Sequence, residues 1–68
     1  MIETDAQLQQ AMEQVERLHE GLQSLRRDIL PVNRRNFAIM AEGPLDEIHK
    51  LQSEIEQYVL SMEEVVVA

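Results

Sequence analysis

Apolar residues recur along this chain at alternating steps of three and four. Leu8, Ala11, Val15, Leu18, Leu22, Leu25 and Ile29 form one such series; Ile48, Leu51, Ile55, Tyr58, Met62 and Val65 form another. Each series winds a single apolar stripe along one side of an α-helix. A stripe of this kind is stable only when something covers it. The pattern therefore predicts an all-α fold: two long antiparallel amphipathic helices in a hairpin, with a short helical turn between them.

The breaks and caps divide one 68-residue domain (1–68) into four parts. Thr4 and Gln7 are spaced as a capping box, and Glu3 and Asp5 suit the positive end of a helix dipole. The first helix is expected over about 5–30, stopped by Pro31, with Gly21 as its one poor helix former. Residues 31–43 are longer than most helix–helix connections, so Asn33 is expected to cap a short turn of their own across 34–41. Gly43 followed by Pro44 reads as a stop and a restart, placing the second helix over about 44–62. Beyond it, Glu63 and Glu64 oppose the dipole and three valines come next, so residues 63–68 are expected to fray. Glu13 with Arg17, and Asp46 with Lys50, are spaced as i,i+4 ion pairs.

These lengths carry a further expectation. A first helix of roughly 39 Å would overhang a second of roughly 28 Å, leaving Leu8 and Met12 without intrachain cover. A chain of 68 residues buries only about 60% of its unfolded surface, and this one has no Cys with which to staple itself. Oligomerisation is the remaining device, and a homodimeric four-helix bundle is the expected form. The core and dimer interface would comprise Leu8, Met12, Val15, Leu18, Leu22, Leu25 and Ile29 from the first helix. Ile48, Leu51, Ile55, Tyr58 and Met62 would complete it from the second.

Charge and composition narrow the function. Thirteen acidic residues against six basic give a net charge of −7, which opposes a surface-wide nucleic-acid face. No signal peptide and no run of about 20 apolar residues is present, so a cytoplasmic chain without a membrane span is expected. Ser24 and Ser53 have no placed His and acid around them, and no phosphate-binding or metalloprotease motif occurs. A non-enzymatic role without a cofactor is the expectation.

Three constellations remain. Arg26, Arg27, Arg34 and Arg35 hold four of the six basic residues. They suit an anion or acidic partner, or serve the helix end and pair with Glu42, Asp46 and Glu47. Glu16-x-x-His19 and Asp46-x-x-His49 match the carboxylate-x-x-His spacing of di-metal bundles. The heptad register places them on outer positions, however, so no metal is expected. Phe37-Ala38-Ile39-Met40 reads as a plug for the end of the hairpin, or else as a recognition patch.

The opening Thr4-Asp5-Ala6-Gln7-Leu8, the connection from Pro31 to Pro44, and the closing Leu51-x-x-x-Ile55-x-x-Tyr58 resemble small bacterial helical-hairpin segments. Such segments, a family of unknown function, occur alone or ahead of helix-turn-helix domains in antitoxin-type regulators. The resemblance spans much of the chain through its heptad pattern and transfers no catalytic residue. It implies a regulatory or partner-binding role.

The leading expectation is thus a small helical assembly protein that homodimerises through its stripes and binds a protein partner. One alternative is a nucleic-acid-associated regulator using the arginine cluster. The other is a metal-binding bundle using Glu16, His19, Asp46 and His49.

Overall fold

The computed structural model describes residues 1–67, with side chains described through residue 63. It contains two helices packed against each other as a hairpin, α1 (Asp5–Asp28) and α2 (Arg34–Val67). The described residues include no strand. The hairpin is a rod, with extents of 54 × 17 × 15 Å.

The start of α1 follows from four adjacent residues. The Gln7 amide donates to the Thr4 hydroxyl at 3.2 Å, and the Gln7 side chain accepts from the Thr4 amide at 3.3 Å. The Glu3 amide donates to the same Gln7 oxygen at 2.7 Å. The capping box thus satisfies donors that a helix start leaves orphaned. The Glu13–Arg17 pair forms at 3.8 Å, whereas no Asp46–Lys50 pair occurs among the described residues. Gly21 is exposed, and a Cβ there would meet nothing within 4 Å. It is a surface glycine, not a point of close helix approach.

Helix α1 ends at Asp28, and the connection is only residues 29–33. Ile29 and Leu30 both donate to the Leu25 carbonyl, at 2.8 and 3.3 Å. Val32 and Asn33 both donate to the Ile29 carbonyl, at 3.0 and 2.8 Å. Asn33 then starts α2 as expected, its side chain accepting from the Asn36 amide at 3.0 Å.

Beyond Asn33 the structure departs from the sequence reading. There is no separate short turn and no restart at Pro44: α2 runs unbroken through both Gly43 and Pro44. Neither glycine has a positive φ. Two physical reasons account for this. A residue before proline is pushed out of the helical region partly by contact between its Cβ and the proline ring, and Gly43 has no Cβ. In addition, Phe37, Ala41 and Pro44 extend the steps of three and four backward from Ile48. Phe37 and Pro44 are half-buried and Ala41 is buried, so tertiary cover offsets the hydrogen bond that proline removes. At the far end α2 reaches Val67, past the end expected near residue 62. Ala68 and the side chains of 64–68, including Val65 of the stripe, lie outside the described residues.

The relative lengths of the helices are therefore reversed. Helix α1 has 24 residues and α2 has 34, so α2 overhangs α1. Leu8 is half-buried and Ala11 beside it is buried, so α2 covers the start of the α1 stripe. Met12 remains 49% exposed.

The core is thin. Ala11, Ala41, Ile48 and Leu51 are its buried apolar residues, and no side chain among the described residues is sealed completely. Val15, Leu18, Leu22, Leu25, Ile29, Ile55 and Tyr58 are half-buried. Two helices cannot surround a core, because each stripe has one neighbour and two open edges.

Candidate interaction surfaces

In an antiparallel pair of heptad helices, the residues just after each inner d position share one flank of the hairpin. Those just before each inner a position share the other. One flank joins Met12, His19 and Arg26 of α1 to Leu45, Gln52 and Val59 of α2. An open groove of about 420 Å³ lies on it, lined by His19, Leu22, Arg26, Phe37, Ala41 and Leu45 among others. Met12, Leu45 and Val59 are 49%, 42% and 41% exposed. A further apolar patch is lined by Ile55, Glu56, Val59 and Leu60.

The opposite flank joins Gln7, Gln14 and Gly21 to Glu47, Glu54 and Ser61. Met40 is the exposed large apolar side chain on it. Glu47 and Glu54 are half-buried carboxylates, and Glu54 pairs with the Met1 amine at 3.2 Å. Ile2, half-buried, lines a hollow there with Glu54, Gln57, Tyr58 and Ser61. One flank is therefore the more apolar, fringed by His19 and Arg26 toward the connection and by Glu56 toward the open end, and the other is polar with two half-buried carboxylates.

Tyr58 links the helices at the open end. Its hydroxyl donates to Asp5 Oδ1 at 2.7 Å, and its carbonyl accepts from the Ser61 hydroxyl at 2.7 Å. The bond to the Asp5 carboxylate, then desolvation, then the Asp5 charge raise the Tyr58 pKa above its ordinary value. Asp5 thus acts twice, at the start of α1 and as the partner of the chain's single tyrosine.

The four arginines meet at the other end. Arg26 and Arg27 occupy the last turn of α1, and Arg34 and Arg35 open α2. Arg27 lies 3.6 Å from Asp28 and bonds Ser24 at 3.4 Å. Among the described residues, Arg26, Arg34 and Arg35 form no ion pair. The expected pairing with Glu42, Asp46 and Glu47 is not made. Arg34 and Arg35 also sit at the positive end of the α2 dipole, with no acidic residue in that first turn. Their placement costs helix stability locally and concentrates positive charge at the connection.

The remaining candidates separate. Glu16, His19, Asp46 and His49 are all exposed, and no group of three or more potential ligands converges among the described residues. The Phe37–Met40 stretch divides: Phe37 faces the hairpin core, while Ile39 and Met40 are 57% and 49% exposed. Leu45 and Val59 were not apparent from the inner stripes alone. Their signal was positional, each coming directly after an inner d residue, Pro44 or Tyr58. No helix among the described residues is long and apolar enough to cross a membrane.

Comparison with known proteins returned no matching family model, curated protein or solved structure.

Proposed function

We propose that this chain is a non-enzymatic helical assembly protein whose core is completed by a second copy, forming a four-helix bundle that then engages a protein partner. The observation carrying this reading is surface area. The chain exposes 5463 Å². A compact monomer of its 7.9 kDa mass would expose about 4,400 Å². The excess, about 1,000 Å², is comparable to the roughly 800 Å² each partner buries in a standard interface. Met12, Leu45, Val59 and Leu60 supply exposed apolar side chains suited to such burial.

The reading is tested by the dependence of Tm on protein concentration. Folding coupled to dimerisation makes Tm rise with concentration, by about 5 °C for each tenfold increase in a protein of this size. A Tm independent of concentration, with the chain fully helical throughout, would contradict it.

A further inference from the structure

We propose that the second copy docks on the flank bearing Met12, Leu45 and Val59, and that it runs antiparallel, with the two connections at opposite ends of the bundle. This rests on the self-association proposed above and adds its face and its direction.

The face is set by the groups each flank would have to bury. The Met12–Leu45–Val59 flank offers three partly exposed apolar side chains and a groove of about 420 Å³. The opposite flank offers Glu47 and Glu54, already half-buried. A partner pressed there would strip water from carboxylates on both copies, which is costly unless each gains a cation. Glu54 already pairs with the Met1 amine at 3.2 Å, and Lys50 lies within one helical turn of both carboxylates, so the face is decided by the exposed apolar side chains, Met12, Leu45 and Val59 on one flank against Met40 on the other.

The direction is set by the charge along the rod. The connection end carries Arg26, Arg27, Arg34 and Arg35 against a single Asp28. The open end, marked by the Tyr58–Asp5 bond, carries Glu3, Asp5, Glu54, Glu56 and Glu63, with no Lys or Arg in either of its segments, 1–12 and 54–68. Each hairpin is thus a charged rod with unlike ends, 54 Å long. Two copies aligned in parallel set arginines against arginines and carboxylates against carboxylates. Two copies aligned antiparallel bring Arg26 and Arg35 of each toward the end bearing Glu56 and Glu63 of the other. Opposite potentials across an interface select register and suppress the like-charged alternative. A two-fold axis perpendicular to the rods makes the contact isologous and closed.

The chain has no Cys, so one substitution gives a clean spin-label site. Val32, in the connection, is 84% exposed and can be replaced without touching the core. In a labelled Val32→Cys dimer, the antiparallel bundle places the labels about 50 Å apart, close to the 54 Å length of the rod. The parallel bundle places them within about 20 Å, two helix diameters. A short distance overturns the direction while leaving self-association intact; a monomeric mass overturns both.

Arg26→Gln with Arg35→Gln reports the sign of the contact independently. It weakens the antiparallel dimer about tenfold, whereas relief of repulsion would tighten a parallel one. For the face, Leu45→Glu raises the dissociation constant more than about tenfold, and Gln14→Glu on the opposite flank leaves it within about threefold. Dissociation by Gln14→Glu but not by Leu45→Glu would place the contact on that opposite flank and overturn the assignment. Both positions are exposed, and helicity at high concentration checks that each variant still folds.

Discussion

At the scale of the residue, the Tyr58–Asp5 bond gives the fold a defined pH response. Because the pKa of Tyr58 is raised on folding, the folded chain holds the phenol proton to higher pH than the unfolded chain does. The contribution of the bond is complete below the ordinary tyrosine titration near pH 10, and is lost as pH climbs through the raised value. With one Tyr and no Trp, absorbance follows this titration directly. The wild-type midpoint is expected above about 10, and Asp5→Ala should return it toward the ordinary value. Equal midpoints in the two proteins would show that the bond does not persist in solution. The sequence disclosed this site only in part. Tyr58 was recognisable as an inner-stripe residue and Asp5 as a helix-start acid. Their partnership spans 53 positions and depends on how far α2 extends, which local spacing does not encode. The Thr4–Gln7 cap was legible because both partners lie within one helical turn.

At the scale of the element, Gly43 and Pro44 decide where α2 begins. Read locally, the pair is a stop followed by a start. Read with Phe37 and Ala41, it is the middle of one helix whose stripe continues through the proline. The steps from Phe37 to Ala41, Pro44 and Ile48 are four, three and four, so the signal was present but was outweighed by the usual meaning of Gly-Pro. A mutant cycle tests this account. Pro44→Ala restores a donor and removes the ring clash, which together cost about 3 kcal/mol inside a helix, less the packing of the half-buried ring. It is expected to raise Tm by several degrees. A Cβ at Gly43 meets nothing beyond its chain neighbours and its own helix backbone. Gly43→Ala should therefore stabilise by about 1 kcal/mol in the Pro44→Ala background. Beside the native proline, the same change should be neutral or destabilising, because the new Cβ meets the ring. Additive effects would contradict the role given to Gly43.

At the scale of the whole molecule, the two stripes made the hairpin legible, but they could not say how much of each stripe the hairpin covers. A heptad pattern specifies that a face is buried, not which chain buries it. The expected overhang of α1 was reversed because the length of α2 depended on the Gly43–Pro44 reading. The case for a partner now rests on the exposed flank and the excess surface. The arginine cluster was visible as composition. Its isolation at one end of an otherwise acidic rod appears only when the hairpin sets residues 26–35 opposite the paired ends of α1 and α2. The most direct test of the central claim is solution mass by sedimentation equilibrium across a dilution series, with helicity recorded at each step. A hairpin whose core is completed by a second copy gives twice 7.9 kDa at high concentration, with helicity falling as the mass halves. A 7.9 kDa particle that stays fully helical at every concentration would show that one chain closes its own core, and would contradict the account.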